Sequence, residues 1–254
     1  MSKNPKNKTQ SIQEEEYSFP YHYIPEISEE GFSQAKYWPW GYRYLGGLRV
    51  VIDQLNKISF NSLLDVGCGD GRFLRELHQL YPGKFFVGLD YSARAINLAK
   101  AFNPQLDYRC MNILEEKFVE KFDIVTAIEV LEHIPKNELD TFIDRIIASL
   151  KPNSTFILTV PHKNVPLTDK HFQHFTSDSL KELLSNKFSK ISFIPFDPNN
   201  RFFDNFLRII GGQGNYFIIT YNKLLTYCFN LYINKYLYSN KESLCKRICA
   251  VCIT

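Results

Sequence analysis

The sequence predicts an α/β fold: a doubly wound, mostly parallel sheet of about seven strands with helices on both faces. Three observations predict it. From Leu45 onward, segments with helical spacing of apolar residues alternate with short apolar runs. Several of these runs are almost continuously apolar, which is typical of strands covered on both faces. A glycine-rich turn joins the first run to the first helix, as at the ligand-binding edge of such sheets.

The predicted strands are the short apolar runs. They cover residues 62–66, 85–89, 106–110, 124–128, 155–160 and 191–196, and a last strand lies in residues 247–254. Three cysteines accompany this last run: Cys245, Cys249 and Cys252. Because free cysteine behaves as a small hydrophobic side chain, we interpret them as buried and reduced rather than as cluster ligands.

The predicted helices lie between the strands. Apolar spacing predicts helices over residues 73–81, 95–102 and 139–150, the first and third ended by Pro82-Gly83 and Lys151-Pro152-Asn153. A capping box formed by Ser179 and Glu182 predicts the start of a fourth helix. After Asp197-Pro198, residues 201–210 and 216–237 are predicted to be helical. We interpret residues 201–246 as a helical insertion ahead of the last strand.

The composition is that of a globular protein. Of 254 residues, 44% are hydrophobic and 22% charged, which excludes disordered, collagen-like and disulfide-scaffold proteins. The net charge of +3 is too small to indicate nucleic-acid binding, and no DNA partner is expected. Residues 1–40 are interpreted as a leader and aromatic cap segment, and residues 41–254 as the main domain. Because no apolar stretch follows the basic N-terminus, we expect no secretory signal and a cytoplasmic location.

The glycine turn after the first strand is the most informative motif. Three glycines alternate in it: Gly67, Gly69 and Gly71. Backbone without side chains lets a ligand approach closely, and Asp65 and Asp70 place negative charge beside the turn. A diphosphate would be repelled there, whereas a cationic ligand would be favoured. Asp90 ends the next strand, where a carboxylate can accept hydrogen bonds from two ribose hydroxyls.

Three stretches together resemble the class I S-adenosylmethionine-dependent methyltransferases. They are LLDVGCGDGRF (63–73), FVGLDYSARAINLAKA (86–101) and FDIVTAIEVLEHIP (122–135). The resemblance covers about residues 45–197. It implies a methyltransferase domain over residues 41–254 and S-adenosyl-L-methionine as cofactor. It also implies that the last strand is antiparallel and follows a substrate-side insertion.

The resemblance further implies which residues bind the cofactor. The backbone of Gly67 to Gly69 would support the methionine part, Asp90 would hold the ribose, and the residues after it would flank the adenine. Asn112 stands where the family commonly has Asp, and its side-chain oxygen can still accept from the adenine amino group. The full set is Asp65, Gly67, Cys68, Gly69, Asp90, Tyr91, Asn112, Ile113 and Glu129.

Acidic and histidine side chains follow the fourth and fifth predicted strands, and both segments leave the ligand-binding edge of the sheet. The first group is Glu129, Glu132 and His133, and the second is His162, His171 and His174. In one interpretation these residues only shape loops. In a second, without metal, the catalytic residues are His133, Glu129 and His171, an imidazole acting as general base. In a third, Glu129, Glu132, His133 and His171 bind Mg²⁺ or Mn²⁺.

The cluster is similar to one in small-RNA 3′-terminal ribose methyltransferases, and E-x-x-E-H also occurs in ubiquinone-pathway O-methyltransferases. We therefore predict methyl transfer to a small or lipid-like acceptor, at oxygen because the candidate bases are His and carboxylates. The alternatives are a metal-assisted ribose 2′-O-methyltransferase acting on RNA and a non-catalytic cofactor-binding protein. A nicotinamide oxidoreductase is disfavoured by the glycine spacing.

Two further regions are candidate contact surfaces. The basic, aromatic residues 201–246 could touch a membrane peripherally. The aromatic segments 17–25 and 37–44 could cover the cofactor and line an apolar acceptor pocket, or could simply pad the edge of the sheet. Acceptor identity is not readable from the sequence, because fold does not fix substrate.

Overall fold

The computed structural model of this chain describes residues 38–210 and 221–254, together with Ile12 and the segments Glu26–Ser28 and Gly31–Ser33. The predictions made for residues 17–25 and for the turn at 211–215 lie outside the described residues. The segments Glu26–Ser28 (β1) and Gly31–Ser33 (β2) pair as a small antiparallel hairpin.

A seven-stranded sheet forms the centre of the fold. Its strands are β3 (Ser62–Val66), β4 (Phe85–Asp90), β5 (Asp107–Cys110), β6 (Phe122–Ile128), β7 (Leu150–Pro161), β8 (Lys190–Pro198) and β9 (Cys245–Ile253). The spatial order is β5-β4-β3-β6-β7-β9-β8. Strands β3 to β7 pair in parallel, and β9 is inserted antiparallel between β7 and β8. The predicted fold class, with its antiparallel last strand, is confirmed.

Helices cover both faces of this sheet. They are α1 (Trp38–Leu55), α2 (Arg72–Leu80), α3 (Ala93–Phe102), α4 (Leu139–Ala148), α5 (Ser177–Leu184), α6 (Arg201–Ile210) and α7 (Asn222–Leu231). Successive strand residues face opposite sides, so Leu63 joins one apolar cluster and Leu64 the other. The first cluster includes side chains of α1, α2, α3 and α7, and the second those of α4 and α5. The sheet is therefore doubly wound, and its central strands β3, β4 and β6 are largely buried, whereas the edge strands β5 and β8 are more exposed.

The described parts of the insertion include the predicted helices, and residues 216–220 of the second one lie outside the described residues. Helix α7 ends at Leu231 and continues as a π-helical turn over Tyr232–Tyr236. Phe202, Tyr221 and Tyr227 of this region are exposed, and the predicted membrane contact stays a prediction. None of the helices in the described part of the chain combines the length and apolar character needed to cross a membrane.

Two predicted helix boundaries were wrong. The capping box of α5 is formed by Thr176 and Ser179, whose hydroxyls accept from each other's backbone N–H groups, so the helix begins before Ser179. A serine hydroxyl can replace the Glu of the usual box because it reaches the same N–H group. Helix α4 ends at Ala148, and Lys151-Pro152-Asn153 lies within β7 rather than ending the helix. The last strand begins at Cys245, and its three cysteines are buried as predicted.

Candidate active site

A cavity of about 800 Å³ opens at the carboxyl ends of the parallel strands. Every residue of the predicted cofactor set lines it, and so do Glu132, His133 and His171. His162 and His174 are not among its lining residues. The structure therefore brings together nearly all of the residues that the sequence singled out, in a volume typical of small-molecule sites.

The glycine turn wraps around the end of β4. Gly67 and Cys68 both donate their N–H groups to the carbonyl of Leu89, at 2.7 and 2.9 Å. Gly67, Gly69 and Gly71 have φ angles of 75°, 56° and 80°, a region that side chains disfavour. A Cβ at Gly67 would lie 2.5 Å from Cγ2 of Val130. Glycine is thus required both by the backbone conformation and by the close packing of the β6 loop.

The carboxylate of Asp90, beside this turn, accepts hydrogen bonds from two backbone N–H groups. Its Oδ2 accepts the N–H of Gly69 at 2.9 Å, and its Oδ1 accepts the N–H of Ser92 at 2.8 Å. The side chain is almost completely buried, yet it lines the cavity. Each carboxylate oxygen can accept more than one hydrogen bond, as the predicted ribose role requires.

The side chains expected to surround the adenine lie at one end of the cavity. Tyr91 is partly exposed, and Ile113 is buried against the second apolar cluster. Oδ1 of Asn112 already accepts the N–H of Leu114 at 3.1 Å, which closes a local turn. Because a carbonyl oxygen has two lone pairs, Asn112 can accept a second hydrogen bond, and its predicted role stays a prediction.

Asp65 lies beneath the glycine turn and is 3% exposed. Burial, opposed by the hydrogen bond from Thr126 and reinforced by the nearby charge of Asp90, raises the pKa of its carboxyl to about 7. That bond, from Oγ1 of Thr126 to Oδ1, is 2.7 Å long. Asp65 is therefore a buried acid that changes its charge near neutral pH.

We expect Asp65 to make cofactor binding depend on pH. Below pH 7 the carboxyl carries a proton, which must leave before it can pair with a cationic amino group, so affinity for S-adenosylhomocysteine should rise between pH 6 and 8. The stability of the fold depends on pH in the opposite direction. In the folded protein the pKa of Asp65 lies above its ordinary value of 3.8, so the contribution of Asp65 to the free energy of unfolding falls as the pH rises from about 4 to 7. Titration calorimetry of the wild type and Asp65→Asn measures the first effect. A wild-type affinity as flat with pH as that of the variant would contradict it.

Glu132, His133 and His171 form the second part of the site. Each offers one ligand atom, and these atoms lie within 4.8 Å of one another. His133 follows β6 in a 3₁₀ turn, Leu131–His133, and the N–H of Phe172 donates to the carbonyl of Glu132 at 2.8 Å. The loop after β7 is thereby fixed against the loop after β6. Among the residues that the structure describes, this is the group that could hold a metal ion.

The donor atoms of this group suit a divalent cation. Burial, and secondly the charge of Glu129, raise the pKa of Glu132 well above its usual range. Burial, and then neighbouring His133 and His174, lower the pKa of His171 to about 3. Two imidazole rings beside a buried carboxyl group are a donor set suited to a divalent ion, which would stabilise the carboxylate.

Three acceptor atoms in and around the group Glu132, His133 and His171 are buried without a hydrogen-bond partner in the described structure. They are Oε1 of Glu129, Oε2 of Glu132 and Oγ1 of Thr159, and all three side chains line the cavity. Buried polar atoms normally have a partner, so these atoms indicate where a ligand or ion binds. Glu129 itself has a φ of 55°, a strained backbone conformation that is common at functional sites.

The structure also adds residues that the sequence did not indicate. Arg247 of β9 donates from Nε to Oε2 of Glu129 at 3.0 Å and from Nη1 to Oδ2 of Asp197 at 2.8 Å. Glu129 is thus engaged by Arg247 and stands outside the three-residue group. Arg43 of α1 pairs with Asp204 of α6 at 2.6 Å and also lines the cavity. The Arg43–Asp204 pair connects the helical insertion to the wall of the site.

The predicted aromatic segment at 37–44 has two roles in the structure. Tyr44 lines the cavity together with Leu48, whereas Tyr42 is fully buried against Phe229 and Tyr232 in the first apolar cluster. Tyr44 is thus part of the cavity wall and Tyr42 packs against the insertion, whereas the covering of the cofactor by this segment stays a prediction.

A family model described as a methyltransferase domain matches residues 40–192 of this chain. The chain belongs to the methyltransferase-domain family. The predicted class, an S-adenosylmethionine-dependent methyltransferase with the class I fold, is confirmed, and with it the cofactor of the class. The roles of the individual site residues stay predictions.

Curated relatives match part of this methyltransferase. The ubiquinone biosynthesis O-methyltransferase of Bradyrhizobium sp. (strain ORS 278) is 37% identical over 114 residues, which cover 43% of this chain and 44% of that protein. The mitochondrial ubiquinone biosynthesis O-methyltransferase of Rattus norvegicus is 37% identical over 120 residues, which cover 44% of this chain and 34% of that protein. The match thus spans less than half the length of these relatives.

Solved methyltransferase structures show the same fold. The N-methyltransferase NodS from Bradyrhizobium japonicum WM9, in complex with S-adenosyl-L-homocysteine, superposes with a TM-score of 0.59 at 14% identity and covers 98% of this chain and 99% of that one. A SAM dependent methyltransferase from Archaeoglobus fulgidus superposes with a TM-score of 0.58 at 15% identity, over 84% and 94% of the two chains. At these identities the likeness concerns architecture and leaves the acceptor open.

Proposed function

We propose that this methyltransferase transfers the methyl group of S-adenosylmethionine to a hydroxyl oxygen of a small, lipid-like acceptor. The observation that carries the proposal is one continuous cavity that joins the glycine turn and Asp90 to the group Glu132, His133 and His171. The name ubiquinone biosynthesis O-methyltransferase, borne by the curated relatives, supports a hydroxyl acceptor. The relatives do not support the RNA or the non-catalytic alternative.

The cavity residues fit the cofactor. Asp90 can accept from the ribose hydroxyls, the open backbone at Gly67 to Gly69 can lie against the methionine part, and Asp65 provides a carboxyl group for its amino group. When bound, the cofactor supplies a methyl group on a positively charged sulfur. The protein must then bring a deprotonated oxygen in line with that methyl group and exclude water.

The acceptor hydroxyl must lose a proton to become a good nucleophile. With a pKa of about 3, His171 is a weak proton acceptor but a good neutral ligand. We therefore assign Glu132, His133 and His171 to a divalent cation, which would lower the pKa of an acceptor hydroxyl. Glu129, whose carboxylate is held by Arg247, lies beside this group and can accept the proton or a hydrogen bond from the acceptor.

The apolar part of the cavity supports a lipid-like acceptor. Tyr44 and Leu48 of α1 face it from one side, and Ile134 and Pro135 of the β6 loop also line it. Such side chains bind an apolar ring or chain next to the polar group that carries the hydroxyl.

Transfer of labelled methyl groups tests the proposal. The purified protein is incubated with methyl-labelled S-adenosylmethionine, Mg²⁺ and three acceptors: an alkyl-substituted dihydroxybenzene, the matching aminobenzene, and a short RNA with free 3′-terminal hydroxyls. We expect label on the phenolic oxygen, recovered in an organic extract. Label on the amine or the RNA alone, or cofactor binding without transfer to any of them, would contradict the proposal.

A further inference from the structure

His174 lies behind the site rather than in the cavity. Its side chain is buried, with 7% of the residue exposed. Its Nδ1 lies 2.9 Å from the carbonyl oxygen of Val165, and its Nε2 lies 2.7 Å from Nδ1 of His171. The residue therefore links a backbone carbonyl to the imidazole that lines the cavity.

Hydrogen-bond chemistry fixes the direction of both contacts. A carbonyl oxygen only accepts, so Nδ1 of His174 must carry the hydrogen. In the neutral ring, Nε2 of His174 is then an acceptor, and Nδ1 of His171 must donate to it. Neutral His171 is left with its lone pair on Nε2.

His133 adopts the same tautomer through a direct hydrogen bond to a backbone carbonyl. Its Nδ1 donates directly to the carbonyl of Lys170 at 2.8 Å, which also leaves the lone pair on Nε2. That Nε2 lies 4.0 Å from Oε1 of Glu132. Both histidines of the three-residue group are thus set by a backbone carbonyl, His133 directly and His171 through His174.

We propose that His174 is a positioning residue that holds His171 in the tautomer with its lone pair on Nε2, the atom that can join Glu132 and His133 in binding a cation. The role in catalysis rests on the function proposed above. The tautomer itself does not. Partners that orient a metal-binding histidine typically change metal affinity 10- to 100-fold when removed, on the order of the effect expected here.

Nitrogen NMR of labelled histidine tests the tautomer directly. We expect the wild-type His171 signal, assigned by its loss in His171→Asn, to show hydrogen on Nδ1 and none on Nε2. In His174→Phe, which keeps a ring but no acceptor, the Nε2–H form of His171 should become populated. In His174→Gln, whose amide oxygen can accept from Nδ1 of His171, the wild-type pattern should be retained.

Metal affinity gives the functional readout. Mn²⁺ binding, followed by titration calorimetry, should weaken by about 10- to 100-fold in His174→Phe and by less than about threefold in His174→Gln. Binding of S-adenosylhomocysteine should stay unchanged in both. His162→Gln is the matched control, because His162 is also buried but bonds to Glu242 outside the cavity lining.

The outcomes separate this inference from the proposed function. Hydrogen on Nε2 of wild-type His171, or wild-type Mn²⁺ affinity in a folded His174→Phe, overturns the role of His174. If His174→Phe does not fold, the wild-type spectrum decides alone. If the wild type binds no Mn²⁺ but shows the expected tautomer, the cation is wrong and the positioning of His171 stands.

Discussion

Replacing Asp90 with alanine is expected to weaken binding of S-adenosylhomocysteine by about 100-fold or more, on the order of 3 kcal/mol. Hydrogen bonds to a carboxylate contribute about 1.5–3 kcal/mol each, so the loss of two predicted ribose contacts accounts for this size. The variant also removes the acceptor for the N–H groups of Gly69 and Ser92, which loosens the turn that faces the cofactor. Titration calorimetry with the purified protein measures the affinity.

Two variants control this experiment. Asp90→Asn keeps the shape and one acceptor oxygen but loses the charge, so about a tenfold loss is expected. Asp144→Ala removes a carboxylate of α4 that pairs with Lys187 on the surface, away from the cavity lining, and should leave the affinity unchanged. An Asp90→Ala protein that is folded and binds S-adenosylhomocysteine within threefold of the wild type would rule out the ribose role.

Removing divalent cations should reduce turnover by about 100-fold or more, because the acceptor hydroxyl would then lack the charge that lowers its pKa. Mg²⁺ or Mn²⁺ added back after dialysis against a chelator should restore the rate. Since the residues predicted to contact the ribose and the adenine lie outside this group, the affinity for S-adenosylhomocysteine should not change. Initial rates of methyl transfer and calorimetry on the same dialysed sample give the two measurements.

Glu132→Gln is the variant that tests most directly whether a divalent cation takes part in turnover. It keeps the side-chain shape and fills the same buried space but cannot become a carboxylate, so cation binding and turnover should both fall while the fold remains. Glu138→Gln changes an acid that also lines the cavity but lies outside the three-residue group, and its cation affinity should equal that of the wild type. Full activity in chelator, or normal turnover of Glu132→Gln, would leave no role for a cation.

The cofactor half of the site could be predicted because its signals are local. Strand β3, the glycine turn and α2 are contiguous in sequence, and Asp90 ends the very next strand. The turn needs glycine for reasons that act within a few residues, a positive φ and the close approach of Val130. Short-range constraints of this kind leave a recognisable pattern in the sequence.

The acceptor half could be predicted only in part. Glu129, Glu132 and His133 come from one loop, but Arg43 and Arg247 reach the cavity from elements 204 residues apart in the numbering, and no periodicity connects them. Thr159 could not be predicted for another reason. In the sequence it is one residue of an apolar strand, and its role in the site is indicated only by its buried hydroxyl, which has no hydrogen-bond partner. Helix ends were misplaced where one hydroxyl residue can substitute for another as a cap, as Thr176 and Ser179 do.

The placement of β9 has a consequence for how the nascent chain folds. Strand β8 pairs with β9 in the described structure, and β9 also covers the open side of β7. Until residues 245–253 have left the ribosome, β8 therefore lacks its neighbour and β7 presents a bare row of amide and carbonyl groups. Exposed edges of this kind invite pairing with other chains, so this half of the sheet is open to such pairing until β9 has been made.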